Sequence, residues 1–226
     1  MVRLIGTTMP PETEAEQTTK APEPTVILAE ALSRARRWSG LTADLLDGTD
    51  VSRTSAKQWI ALTLQQLSLD HFNGMVLLCE GKIYGSAFAL FRPQLEAHVR
   101  GRWLDEIATE EELQGFLAQD KIPSMRNLIE SLPMEGKFLL EFWKGSWSDL
   151  CDFTHGGSLH VRARGSSAEL ADSYDEGYVS SLIQMSTALS YFSLLAVADS
   201  LDLEGHAEKI HVEFISLLSP KVSDEA

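Results

Sequence analysis

The chain has 226 residues, 44% of them hydrophobic, which is enough to bury one sizeable core. Its formal net charge of -14 opposes the approach of nucleic acid or of an anionic membrane, because the long-range field repels phosphate groups. The two cysteines, Cys79 and Cys151, lie beside apolar neighbours and fit reduced thiols. We therefore expect a cytoplasmic protein without a disulfide framework.

The two ends of the chain differ in composition from its middle. Residues 1–24 combine prolines with Glu and Thr and carry too little apolar surface to offset the entropy of ordering. Residues 219–226 are short and acidic. We therefore predict a disordered N-terminal tail over residues 1–24, one domain over residues 25–218, and an acidic C-terminal tail.

Apolar residues recur at helical spacing through the middle of the chain, and no stretch alternates as a half-buried strand does. This pattern predicts an all-α fold, a single-domain antiparallel helical bundle. Asp50 or Ser52 is expected to cap the second helix, Thr109 the fourth, and residues 158–173 are expected to be irregular. The predicted helices cover residues 26–46, 52–80, 83–107, 109–118, 124–132, 147–156, 174–201 and 204–218.

Residues 178–198 carry no charge and are long enough to span a bilayer. Several serines, a threonine and a glutamine interrupt this stretch, acidic residues flank it, and no Lys or Arg lies beside it. We interpret it as the buried central helix of the bundle and predict no membrane association.

An unusual segment covers residues 92–104 and reads Arg-Pro-Gln-Leu-Glu-Ala-His-Val-Arg-Gly-Arg-Trp-Leu. Arg92, Glu96 and Arg100 stand four apart, so on a helix they form one ladder of ion pairs. If water surrounds the ladder, each pair contributes only a few tenths of a kcal/mol. If the ladder lies in a groove between helices, the same side chains form a clamp for an anion.

A second segment, residues 147–157, ends in Phe-Thr-His-Gly-Gly. His155 lies in the last turn of the predicted helix, where the helix dipole favours a cation, so it is either a cap or a general acid or base facing a cleft. Farther along, His160, Arg162 and Arg164 alternate, and an extended chain would turn them to one side. They form either a basic lip beside the cleft or a solvated loop.

These two motifs resemble those of an uncharacterised family of bacterial helical proteins. That family is marked by an Arg-Pro-x-x-Glu-Ala-x-x-Arg-Gly-x-Trp-Leu helix, here residues 92–104, and a Phe-Thr-His-Gly-Gly turn, here residues 153–157. The resemblance covers about residues 25–202. It implies a helical fold and no particular reaction.

A looser similarity is to the HEPN ribonucleases and toxins, helical bundles that pair two protomers and use an Arg followed by a His after four to six residues. Arg92 and His98 have that spacing. However, six residues on a straight helix turn the second side chain about 120° away from the first, and here Pro93 follows the Arg in place of the usual polar residue. His98 is thus either a catalytic residue or a residue of helix packing.

Metal and cofactor motifs are missing from the sequence. Glu208 and His211 have the spacing of a di-metal bundle but lack the second pair that such a centre requires. No phosphate-binding loop, dinucleotide fingerprint or nucleophile elbow occurs. We predict neither a metal site nor a cofactor.

Three hypotheses remain open, and they leave undecided whether the protein is an enzyme. The first is a dimeric helical protein that binds an anionic ligand at Arg92, Glu96, Arg100, His155 and Arg162. The second is a HEPN-like, metal-independent ribonuclease or toxin in which His98 or His155 moves protons and Arg92 or Arg100 stabilises charge on the RNA phosphate. The third is a non-catalytic interaction module, which predicts an apolar groove and no convergence of polar groups.

Overall fold

The computed structural model describes residues 23–120, 122–133, 136–163, 174–203 and 205–219. Over these residues the chain forms nine helices and no strand, which confirms the predicted all-α fold. The helices are α1 (Pro24–Leu46), α2 (Ala56–Glu80), α3 (Tyr84–Glu106), α4 (Glu110–Leu117), α5 (Met125–Ser131), α6 (Gly136–Thr154), α7 (Ser158–Arg162), α8 (Glu176–Ser200) and α9 (His206–Leu218).

The two predicted tails lie almost entirely outside the described residues. Glu23 is the N-cap of α1 and Pro24 is its first residue, so Pro24 belongs to the helix rather than to the predicted tail. A first-turn proline is tolerated because its missing amide hydrogen would have no acceptor within the helix. At the other end, Ser219 is the C-cap of α9.

Local capping explains where several helices begin. Thr109 and Glu112 form a reciprocal capping box at α4, as the sequence predicted. The cap of α2 was predicted wrongly: Ser55 forms a capping box with Gln58, and the helix begins at Ala56. Asp50 instead accepts a hydrogen bond from the Ser52 amide at 2.8 Å, which shapes the preceding turn.

Helix α8 is the centre of the bundle and packs against α1, α2, α3 and α9. By length and composition it is apolar enough to cross a membrane, but 61% of its most apolar window is buried inside the bundle. Burial of this kind is typical of the core helix of a soluble protein. It agrees with the predicted central helix.

Helices α2 and α3 form the most extensive helix pair, joined by the short link over residues 81–83. Gly101 permits their close approach, because a Cβ atom there would overlap the Gln65 side chain and lie 3.1 Å from the Ala61 carbonyl oxygen. The pair confirms the predicted hairpin. It turns one face of α3 toward the core and leaves Arg92, Glu96 and Arg100 at the edge of the bundle.

Two segments differ from the prediction. Helix α6 begins at Gly136 rather than near residue 147, and in its first half Leu139 and Phe142 pack against the core. Residues 158–162, expected to be irregular, form the short helix α7. The Asp152 carboxylate accepts hydrogen bonds from the Ser158 and Leu159 amides and thereby caps α7.

Candidate functional site

The arginine ladder forms on α3 as its spacing predicts. Arg92 Nε donates to Glu96 Oε1 at 2.7 Å, and an Arg100 guanidinium nitrogen lies 2.8 Å from Glu96 Oε2. The exposed fractions of the three side chains are 21% for Arg92, 16% for Glu96 and 33% for Arg100. The ladder is therefore partly shielded from solvent, which distinguishes it from an ordinary surface row of charges.

The turn after α6 is built around its two glycines. Gly156 has a φ of 69°, in the left-handed region that favours glycine. Gly157 lies so close to the Asp152 carboxylate that a Cβ atom would overlap it. The turn requires glycine at both positions for different reasons, and Asp152 is used to cap α7 rather than to orient His155.

Arg92 and His155, which are 63 positions apart in the sequence, meet in the structure. One terminal guanidinium nitrogen of Arg92 lies 2.8 Å from His155 Nε2. Since Arg92 is only a donor, His155 accepts this hydrogen bond and carries its proton on Nδ1. The Arg92 guanidinium also lies 4.8 Å from the ring centroid of Trp147. Three contacts therefore hold the Arg92 side chain in one orientation.

An aromatic stack positions the turn against α3. The Phe88 ring stacks on Phe153 with a centroid separation of 4.6 Å and on Tyr174 at 5.6 Å. His160 joins the same cluster, with Nε2 2.6 Å from the Phe153 carbonyl oxygen and Nδ1 2.9 Å from the Tyr174 hydroxyl. Because Phe88 and Arg92 are one turn apart on α3, the stack brings His155 next to Arg92.

The ladder and the turn border a groove of about 250 Å³ between α2, α3 and the end of α6. Its apolar wall comes mainly from α2, and its polar wall comes from α3 and the turn. Arg100 Nε is shielded from solvent and has no hydrogen-bond acceptor among the residues that the structure describes. The groove is lined by Leu64, Leu67, His71, Arg92, Pro93, Glu96, Ala97, Arg100, Thr154 and His155.

Residues 65–220 match a family model described as a family of unknown function (DUF6988). The match covers more than half of the chain. The chain belongs to this family. No curated protein and no solved structure matches it. The predicted membership of an uncharacterised helical family is confirmed, and the chemistry of this DUF6988 protein has to be argued from its own groove.

Sequence reasoning missed His71 as a groove residue of the DUF6988 domain, because it lies on the apolar face of α2. Partial burial lowers the pKa of His71 below the ordinary histidine value of 6.5, and the charge of Asp70 partly opposes this change. Leu64, Leu67 and His71 follow one another at helical spacing, which places them on one face. That spacing, combined with the α2–α3 hairpin, is the signal that could have identified His71.

His98 lies elsewhere, completely buried between α2, α3 and α8. Its Nδ1 is 3.0 Å from Gln65 Oε1 and 3.1 Å from Ser193 Oγ, and Ser193 donates to Ser68 at 2.9 Å. Within this chain, therefore, His98 does not converge with Arg92. Its surroundings are those of a residue that connects three helices through hydrogen bonds.

Arg162 is exposed on α7 and does not line the groove. The basic lip was one of two interpretations of this segment, and His160 and Arg162 do not form it, because residues two apart on a helix point in different directions and His160 is engaged with Phe153 and Tyr174. Arg164 lies outside the described residues. Among the described residues, no group of three His, Cys, Asp or Glu side chains has the arrangement of a metal site.

Proposed function

We propose that the groove between α2, α3 and the end of α6 binds a small anionic molecule. The observation that carries this proposal is the convergence of Arg92, Arg100 and His155 on one partly shielded groove. Arg92 is oriented by Glu96, His155 and Trp147 before any ligand arrives, which lowers the entropy lost on binding. Arg100 also lines this groove, and its Nε donor finds no acceptor in the ranges that the structure describes.

The charges of the groove favour a ligand with one negative charge. Arg92 and Arg100 contribute two positive charges, and Glu96 offsets one of them. The His155 ring accepts a hydrogen bond from Arg92 through Nε2. A carboxylate or a singly charged phosphate matches the remaining charge, and the planar guanidinium groups match the geometry of either anion.

The shape of the groove favours a small ligand over a polymer. Leu64, Leu67, Pro93 and Ala97 supply an apolar wall for the uncharged part of the molecule. The net charge of -14 on the whole chain repels long polyanions at a distance. A compact amphipathic anion meets both conditions.

The test is calorimetric titration with inorganic phosphate, benzoate and adenosine monophosphate at low ionic strength. Arg92→Gln is expected to weaken binding of the preferred anion by about tenfold or more, because one charge-assisted hydrogen bond is lost. Arg126→Gln is the matched control, since Arg126 also pairs with a glutamate four residues later, Glu130, but lies on α5 away from the groove. Equal affinities in all three proteins, or no saturable binding of any of the three probes, would contradict the proposal.

Metal-independent ribonuclease activity is a second candidate, because two histidines, His71 and His155, line the groove beside two arginines. One histidine would accept the proton of the ribose 2′-hydroxyl as its oxygen attacks phosphorus. The P–O5′ bond would then break as the other histidine, which has to be in its protonated form, donates a proton to the leaving oxygen. Arg92 or Arg100 would stabilise the charge on the non-bridging oxygens.

An RNA cleavage assay in the presence of a chelator tests this candidate. Wild type and Arg126→Gln are expected to cleave, whereas His155→Asn and Arg92→Gln are expected to lose the activity. His98→Ala is not informative about catalysis, because His98 is buried in the core. Absence of cleavage by the wild type would remove the ribonuclease and leave the anion-binding proposal to its own titration.

A further inference from the structure

The central helix α8 has one face that the rest of the described bundle covers only in part, since Ala188 and Leu195 on this face pack against the core whereas Met185 is exposed. Seven positions on this face follow one another at intervals of three, four, three, four, three and four residues, which is the spacing of a coiled-coil seam. Their side chains are partly or fully exposed, including Tyr178 at 73% and Met185 at 39%. The seam consists of Tyr178, Ser181, Met185, Ala188, Phe192, Leu195 and Asp199.

The surroundings of the seam are apolar as well. Beside it, Phe138 of α6 is 64% exposed and stands at the rim of a cavity of about 80 Å³ between α3, α6 and α8. Met185, Ala188 and Phe192 belong to both the seam and the cavity wall. Contiguous apolar surface of this kind marks an interaction site in a water-soluble protein.

We propose that a second copy of this chain covers the seam, with the two α8 helices packed antiparallel about a two-fold axis at Ala188. The order of residues supports this occupant, because the side chains of the seam complement those of a second seam that runs in the opposite direction. Met185 then meets Phe192 of the partner subunit, a favourable contact between sulfur and an aromatic ring. Ser181 meets Leu195 of the partner subunit, and the small Ala188 side chains allow close approach at the axis.

The ends of the seam distinguish the antiparallel from the parallel arrangement. In the antiparallel pair, the Tyr178 hydroxyl can donate to the carboxylate of Asp199 of the partner subunit. Asp199 Oδ2 lies 3.6 Å from Arg102 of its own chain, but the Asp199 side chain stays 62% exposed, and Tyr178 is 73% exposed. A parallel pair would instead place the two Asp199 carboxylates opposite each other and the two Tyr178 hydroxyls opposite each other. The two negative charges then repel each other, and the two helix dipoles, which point the same way, also oppose association.

The dimer should be of modest affinity and should respond to salt. The seam extends over 22 residues, or about 32 Å of helix, which is short for an interface. Each subunit carries a net charge of -14, so long-range repulsion opposes association. Added salt screens that repulsion, and we expect the dimer to strengthen as ionic strength rises.

Sedimentation equilibrium over a wide range of protein concentration tests the association. Wild type is expected to shift from monomer to dimer, whereas Met185→Glu is expected to weaken the dimer by about tenfold or more, because it buries an unpaired charge at the seam. Leu77→Glu is the matched control: Leu77 is 67% exposed on α2 and does not belong to the seam. A wild type that stays monomeric at every concentration, or equal weakening by both variants, would overturn the proposal.

Cysteine cross-linking tests the orientation with substitutions too small to prevent folding. In a Cys151→Ser background, Ala188→Cys is expected to form a disulfide-linked dimer, because the two-fold axis brings both copies of this position together. Ser181→Cys is expected to stay uncross-linked, since the two copies would lie about 21 Å apart, far beyond the reach of a disulfide. Cross-linking at both positions would indicate a parallel pair. Cross-linking at neither position would indicate that something other than a second copy occupies the seam. Either result would overturn the assignment.

Discussion

Two polar clusters lie on α3 less than two helical turns apart, and their environments are opposite. The buried cluster around His98 joins α2, α3 and α8 through Gln65, Ser193 and Ser68, shielded from water. The groove cluster around Arg92 is partly exposed, meets His155 from a distant segment, and includes Arg100, whose Nε has no acceptor within the described part of the chain. Residue type alone does not distinguish the two clusters, whereas their burial and their remaining hydrogen-bonding capacity do.

The largest expected difference between the two clusters is in stability. His98→Ala should lower the free energy of unfolding by about 2–4 kcal/mol, because it leaves a cavity and removes hydrogen bonds in a dry site. Arg92→Ala should cost about 1 kcal/mol or less, because its ion pair is partly solvated. Urea denaturation at neutral pH measures both. An equally large cost for Arg92→Ala would show that the groove cluster is a structural link between α3 and α6.

A smaller effect is expected at Gly101, where α2 and α3 approach closely beside the buried cluster. Gly101→Ala should lower the free energy of unfolding by about 1–3 kcal/mol, because the added methyl group displaces the Gln65 side chain that binds His98. Gly145→Ala is the matched control on α6, where a Cβ atom meets nothing within 4 Å. That control should be neutral or stabilising by up to about 1 kcal/mol. Stabilisation by both substitutions would mean that the helices are not in tight contact at Gly101.

The smallest expected effect is a pH dependence carried by His71 in the groove. Its folded-state pKa is lowered by burial, so the unfolded chain takes up the proton first as the pH falls. The stability contributed by neutral His71 is complete above the ordinary value of 6.5 and is lost progressively below it. The difference in unfolding free energy between wild type and His71→Gln, measured from pH 8 to pH 5, should therefore shrink as the pH falls. A difference that is constant over this range would place His71 in open solvent.

Much of the fold could be predicted because its causes are local. The apolar spacing along α2 and α3, the Thr109–Glu112 capping box and the uncharged middle of α8 are all visible within short windows of sequence. The first half of α6 could not be predicted in this way, since packing of Leu139 and Phe142 against distant helices maintains it. Helix α7 likewise depends on a side chain, Asp152, that belongs to the preceding helix.

The residues of the candidate site could be predicted only in part. Arg92, Glu96 and Arg100 form a ladder that follows directly from their four-residue spacing. His155 was predicted as a possible neighbour, but the Phe88–Phe153 stack that brings it to Arg92 was not. His71 was not recognised because helical periodicity cannot say which edge of a mostly apolar face borders a groove. Arg162 was expected at the site and lies outside it, since α7 turns it toward solvent.

The sequence by itself determined that this protein is helical, that its most apolar helix is central, and that α3 carries a ladder of alternating charge. Those properties follow from periodicity and capping, which act over one or two helical turns. Only the tertiary structure decided that His98 is buried, that Arg92 meets His155, and that one face of α8 is only partly covered. The reason is physical: each helix specifies its own faces locally, but which faces meet depends on how all the helices pack around one core.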